Sequence, residues 1–105
     1  MTADDAQAAV WISKAAQQGD GYAQATLAAL YQAGRGVPLD LIQAYKWYQL
    51  SQRSSRTDSS DQLRELASVM SKGQIADAER MATEWRPAHE GSPAEGEGSM
   101  PDLLE

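Results

Sequence analysis

Residues Leu27–Leu50 read LAALYQAGRGVPLDLIQAYKWYQL, and this segment combines the end of one helix, a turn and the start of the next helix. Gly34 stands where helices commonly end in a left-handed glycine. Gly36 adds a second permissive turn position, and Asp40 is a typical N-cap residue. The segment therefore predicts two antiparallel helices joined by a short turn.

The second helix of this segment repeats a pattern that also occurs near the N-terminus. Ala8-x-x-Trp11-Ile12 corresponds to Ala44-x-x-Trp47-Tyr48, 36 residues later. A period of about 20–50 residues in a helical chain is typical of stacked helix pairs, because one pair cannot bury its own apolar faces. We therefore expect both copies to face the core, with Ala8, Trp11, Ile12 and Ala15 forming one stripe on the first helix. For Trp11 an open face is the alternative, because no helix pair precedes the first helix here.

Apolar residues recur with helical periodicity through most of the chain and predict an all-α fold. The expected helices are Asp4–Gln18, Tyr22–Ala33, Leu41–Arg53, Asp61–Met70 and Gln74–Trp85. Asp20 and Asp40 are predicted N-caps, and Ser71-x-x-Gln74 matches a capping box for the last helix. Arg86-Pro87 ends that helix, so we predict one helical domain over residues 1–87.

Charge separates this domain from the rest of the chain. The 105 residues carry a net charge of −6, and residues 89–105 contain five acids and no Lys or Arg. Residues 88–105 are rich in Gly, Ser, Pro and Glu, which predicts a disordered acidic tail. An apolar pair near its end, in Met100-Pro-Asp-Leu103-Leu104, leaves open a short docking motif as the alternative.

Several classes of function have no support in the composition. The chain has no cysteine and one histidine, His89, so we predict no catalytic, metal or cofactor site. No basic footprint for nucleic acid is present, and no apolar run reaches the roughly 18 residues that span a membrane. The first residues, MTADDAQAAV, lack the basic region of a signal peptide. On the sequence we expect a cytoplasmic protein unless the chain is a processed or cloned fragment.

The turn and the third helix together resemble the Sel-one-like repeat, a relative of the tetratricopeptide repeat. The resemblance rests on the pattern Leu27-x-x-Leu30-Tyr31-x-x-Gly34-x-Gly36-Val37-x-x-Asp40-x-x-x-Ala44-x-x-Trp47-Tyr48. The first helix resembles the second half of such a repeat, so the likeness covers about residues 6–52. It implies a short right-handed α-solenoid of about five helices in stacked antiparallel pairs. It also implies a non-enzymatic scaffold that binds a protein or peptide.

The last two helices depart from the family pattern. Ser71–Gln74 joins them directly where the Gly-x-Gly-Val turn is expected, and Ala78-x-x-Met81-Ala82 stands where Trp-Tyr is expected. We interpret this segment as the closing end of a repeat array. The alternative function is therefore a C-terminal capping fragment of a larger array, with no partner of its own.

Outward positions on the first and third helices are the candidate partner-binding residues, because these helices correspond to surfaces that solenoids use for binding. Tyr45 lies off the main stripe, and burial against the next helix is an equal alternative for it. The first helix has no predecessor in the repeat, so we also predict possible self-association through it. The candidates are Val10, Ser13, Lys14, Tyr45, Lys46, Gln49 and Leu50.

Overall fold

The computed structural model describes residues 3–54 and 57–87, with the backbone alone for Ala3 and Asp4. Within these ranges the chain forms five helices and no strands, which confirms the all-α prediction. They are α1 (Ala3–Gln17), α2 (Gly21–Ala33), α3 (Leu41–Gln52), α4 (Ser60–Val69) and α5 (Lys72–Glu84). Each predicted end lies within two residues of the observed one. The predicted tail, residues 88–105, lies outside the described residues.

The helix starts follow the local capping signals of the sequence. The Asp20 carboxylate accepts a hydrogen bond from the Ala23 amide at 3.1 Å, and the Asp40 carboxylate accepts one from the Gln43 amide at 3.1 Å. At α5, Ser71 and Gln74 bond each other's backbone amides reciprocally, at 2.9 and 3.1 Å. Both N-cap predictions and the capping box are therefore confirmed.

The turn between α2 and α3 needs its two glycines. Gly34 has φ +68° and donates its amide to the Leu30 carbonyl, so it closes α2 in the left-handed conformation. Gly36 has φ +75°. The Asp40 amide then returns to the Tyr31 carbonyl at 3.0 Å, which fixes the start of α3 against the end of α2.

The central helix of the described chain is α3, which packs against α2, α4 and α5. The predicted orientation of its repeat residues is confirmed, because Ala44, Trp47 and Tyr48 are all buried. The Trp85 ring, at the end of α5, meets the Trp47 ring edge-on, with centroids 6.0 Å apart. No helix in the described ranges has the length and hydropathy needed to cross a membrane.

The stripe predicted for the first helix is wrong for Ala8 and Trp11, whereas Ile12 packs against the core as expected. Trp11 is 65% exposed and Ala8 is also exposed, whereas Ala9 and Ala16 are buried. The side of α1 that packs on α2 includes Ala16, whose carbonyl accepts a 3.1 Å hydrogen bond from the buried Gln24 side chain. The two copies of the pattern thus differ in burial, because α5 covers the copy in α3 whereas none of the described helices covers Trp11.

Replacing Ala44 with leucine should destabilise the fold by about 1–3 kcal/mol, because Ala44 has no exposed surface and the added atoms overpack the helix contacts around it. Chemical denaturation followed by circular dichroism measures the change. Ala8→Leu is the matched control at the equivalent exposed position of α1, and we expect it to have little effect. Equal midpoints for Ala44→Leu and wild type would show that Ala44 does not lie at a helix contact.

Candidate functional site

The first candidate site is an apolar groove between α1 and the turn that precedes α3, which we call the α1 groove. Its volume is about 290 Å³. The residues around it are mostly small or aliphatic, with one serine and one lysine: Ala6, Ala9, Val10, Ser13, Lys14, Gly36 and Val37. The structure thus brings the three candidates of the first helix together at one site.

A close approach of the turn to α1 forms one wall of this groove. A Cβ atom at Gly36 would lie 2.4 Å from the Asp5 carbonyl oxygen and 3.0 Å from the Ala9 Cβ. Only glycine permits this approach, since both the space and the positive φ exclude a side chain. Arg35 also forms an ion pair with Asp5, with a nitrogen–oxygen distance of 3.3 Å. Because this ion pair is largely exposed, it helps to position the turn but contributes little to the stability of the fold.

The groove offers an apolar contact and a positive charge side by side. Val10 is 53% exposed, so a large part of its side chain faces solvent. Ser13 is half-buried and accepts a 3.2 Å hydrogen bond from Gln17. Lys14 is exposed, with its ammonium nitrogen 5.0 Å from the centroid of the Trp11 ring. An apolar side chain followed by an acidic group is the ligand chemistry that fits.

The two polar candidates of α3 are not part of this groove. Lys46 and Gln49 are half-buried on α3 and do not line it. The Lys46 ammonium lies 4.3 Å from the centroid of the Trp47 ring. Burial lowers the pKa of Lys46, and the nearby charge of Asp40 partly opposes that effect.

The remaining two candidates lie in the core. The outward position expected for Leu50 is wrong, because Leu50 is 3% exposed and lies near Trp85 and Pro87. It follows Trp47 by three residues and so shares the side of α3 that faces the core. For Tyr45 the burial alternative is correct. Burial, with a smaller contribution from the charge of Glu79, raises the pKa of the Tyr45 hydroxyl.

Sequence reasoning missed a second groove, between α2 and the start of α4, with a volume of about 460 Å³. Tyr22, which is 60% exposed, stands at its edge, and the Tyr48 hydroxyl donates to Gln32 at 3.2 Å beside it. The polar connection after α3 supplies most of its other wall. The lining residues are Tyr22, Ala25, Thr26, Ala29, Tyr48, Thr57, Asp58, Ser59 and Gln62. No motif in the sequence marks a groove here.

Among residues 5–54 and 57–87, no three His, Cys, Asp or Glu side chains cluster so as to hold a metal ion. The chain matches no protein-family model, no curated protein and no solved structure. The geometry of the α1 groove is therefore the main guide to function.

Proposed function

We propose that this chain is a non-enzymatic protein-binding module that holds a peptide or a segment of another protein in the α1 groove. The observation that carries the proposal is Val10, 53% exposed beside a groove of small apolar residues. Apolar clefts with a few polar groups are the usual sites of ligand contact, and the exposed Val10 side chain extends this one. Lys14 at the rim supplies a charge that orients the ligand.

We also propose that the helices follow the Sel-one-like repeat arrangement, as a short right-handed solenoid. The left-handed Gly34 and Gly36, the buried Ala44 and the buried Trp47 support this, because the repeat pattern needs those environments at those positions. The turn between α2 and α3 also packs on the preceding helix α1 at Gly36, and contact between successive pairs is what a stacked arrangement needs.

The substitution Val10→Glu tests the binding proposal. The new carboxylate would stand in the groove, one helical turn from Lys14, where it would remove the apolar contact and pair with the ammonium group. Peptides are selected from a displayed random library on the wild-type chain, and their affinities for both proteins are measured by fluorescence anisotropy. We expect Val10→Glu to weaken binding at least about tenfold while helical content stays unchanged.

Val69→Glu is the matched control, because Val69 is 68% exposed on α4 and does not line the α1 groove. It should leave peptide affinity unchanged. If Val10→Glu unfolds the chain, Val10 belongs to the core and the proposal fails. If both variants bind like wild type, the binding surface lies elsewhere, and Lys46 and Gln49 become the next residues to test.

A second candidate function is the cap of a larger helical array, and the exposure of Trp11 favours it. The equivalent Trp47 is 4% exposed because helices cover it, and a further helix pair could cover Trp11 in the same way. In that case other helices of the array would cover the α1 surface. The peptide-library selection would then return no peptide whose binding is weakened by Val10→Glu.

A further inference from the structure

A small pocket lies beside α2, where the chain leaves α1, α3 and α5, and we call it the Gln24 pocket. Its volume is about 270 Å³. Ligand pockets usually measure about 300–1,000 Å³, so this one suits a single side chain or a molecule of similar size. It shares no lining residue with the α1 groove. Its lining residues include Gln24, Leu50, Arg53, Trp85 and Pro87.

Gln24 contributes a buried acceptor without a donor. It is 3% exposed, and its Nε2 donates a hydrogen bond to the Ala16 carbonyl at 3.1 Å. Because a carbonyl can only accept, this bond fixes which branch of the side-chain amide is the nitrogen and which is the oxygen. None of the described residues donates a hydrogen bond to the oxygen, Oε1. A buried acceptor without a donor is unfavourable, so a bound group that donates to it is favoured.

Arg53 contributes a positively charged donor to the same pocket. Its Nη1 donates to the Ala82 carbonyl, near the end of α5, at 3.1 Å, and this bond holds the guanidinium group in place. A guanidinium group carries five N–H donors. Within residues 3–54 and 57–87, no other acceptor and no carboxylate pairs with the Arg53 side chain. Donors therefore remain for an acceptor on a ligand.

Leu50, Trp85 and Pro87 give the pocket an apolar wall. Leu50 is 3% exposed, and the Trp85 ring is fixed by its edge-on contact with Trp47, with centroids 6.0 Å apart. An apolar wall with a few polar groups is the usual composition of a ligand site. The ligand should therefore be aliphatic, apart from the atoms that meet Gln24 and Arg53.

The two polar groups select a neutral ligand that both donates and accepts. A carboxylate would pair with Arg53, but it would leave the Gln24 oxygen without a donor. An ammonium group would donate to Gln24, but the Arg53 charge would repel it. A primary carboxamide has N–H donors for Gln24 and a carbonyl acceptor for Arg53, and it carries no charge.

We propose that the Gln24 pocket binds a primary carboxamide on a short aliphatic group, with the amide NH₂ donating to Gln24 Oε1 and the amide carbonyl accepting from Arg53. Such a group occurs in small aliphatic amides and in the Gln and Asn side chains of proteins. The site goes beyond the proposed peptide groove, because it uses other residues and recognises one polar group. A single small group binds weakly, with a dissociation constant in the millimolar range.

NMR titration of the ¹⁵N-labelled full chain with isovaleramide, up to about 200 mM, tests the proposal over the range of such weak affinities. The signals of the Gln24 side-chain amide and the Trp85 indole should shift and saturate. Isovalerate and methyl isobutyl ketone have nearly the same shape, but both lack the N–H donor. Each should bind at least about tenfold more weakly. Equal binding of isovaleramide and the ketone, or shifts confined to residues outside the pocket, would overturn the proposal.

The same titration with acetyl-Gln-methylamide and acetyl-Glu-methylamide identifies the source of the carboxamide. A preference for the Gln compound of at least about tenfold would show that the pocket accepts a protein side chain. Binding of isovaleramide without binding of the Gln compound would restrict the ligand to small amides.

Gln24→Met removes the acceptor but keeps the length of the side chain. The preference for isovaleramide over the ketone should then disappear. Gln7→Met is the matched control, because Gln7 is exposed on α1 and does not line the pocket, and it should keep the preference. A preference retained by a folded Gln24→Met would overturn the proposal. If circular dichroism shows Gln24→Met to be unfolded, the ranking of ligands on wild type decides. Val10→Glu should still bind isovaleramide, so this proposal and the function of the α1 groove can fail independently.

Discussion

Truncating Trp47 to alanine should reduce the free energy of unfolding by about 3–5 kcal/mol, the largest loss we expect from a single substitution. Trp47 is 4% exposed, so its removal leaves a cavity in the contact of α3 with α5. The edge-on contact with Trp85 would be lost, and the Lys46 ammonium would lose the ring 4.3 Å from it. A domain of this size has a marginal total stability, so the variant should be partly unfolded at room temperature.

Trp11→Ala is the matched control, because the same side chain is removed from the equivalent position of the repeat. With 65% of Trp11 exposed, we expect a change of about 0.5 kcal/mol or less. Urea denaturation in dilute solution, followed by circular dichroism, compares both variants with wild type. Similar losses for the two variants would contradict the different environments of the two tryptophans.

Gly36→Ala should cost about 3 kcal/mol, from two causes that add. An alanine is strained at φ +75°, and its Cβ would lie 2.4 Å from the Asp5 carbonyl oxygen, which is backbone and cannot turn away. The turn would have to move away from α1, so the variant should also lose peptide affinity at the α1 groove. Thermal unfolding and fluorescence anisotropy measure the two effects.

Gly19→Ala separates the two causes. Gly19 also has a positive φ, +101°, but a Cβ there would meet nothing within 4 Å. It should therefore report the strain alone, about 1 kcal/mol. If Gly36→Ala reduces the free energy of unfolding no more than Gly19→Ala does, the close packing of the turn on α1 contributes nothing to stability. The wall of the α1 groove would then not depend on that packing.

Local signals in the sequence were sufficient to locate the starts of α2, α3 and α5, because each of these starts depends on a side chain a few residues from the amide it caps. Asp20, Asp40 and Ser71 all act within their own turn. The orientation of the third helix was also predictable from its repeat residues, since Ala44, Trp47 and Tyr48 are spaced three and four apart and all are buried. Leu50 was the exception, because its outward assignment came from the repeat analogy and not from its spacing to Trp47.

The orientation of α1 could not be predicted in this way. Its sequence contains two stripes of the same spacing, one through Ala8, Trp11 and Ala15 and the other through Ala9, Ile12 and Ala16. Periodicity cannot distinguish them, and residue size favours the one with tryptophan. The choice depends on which helices lie opposite, and α1 packs on α2 with the all-aliphatic stripe.

The α1 groove was predicted only in part, for a related reason. Val10, Ser13 and Lys14 follow from the helix pattern, but Gly36 and Val37 reach the groove from about 25 residues away along the chain. That approach depends on the absence of a side chain at Gly36 and on the pairing of Arg35 with Asp5. Neither contact changes the helical periodicity of the sequence, so neither could be predicted from it.

The limited packing of α1 on the other described helices also affects how the molecule opens. Helix α1 packs on α2 and the following turn, whereas α3 is held by three helices. Release of α1 alone would expose the side of α1 that carries Ala9 and Ala16 but would leave Trp47 and Trp85 covered. We therefore expect α1 to unfold as a separate unit. Its amides should exchange with solvent before those of α3. Any molecule bound to α1 would suppress that opening by mass action and slow the exchange of this one helix first.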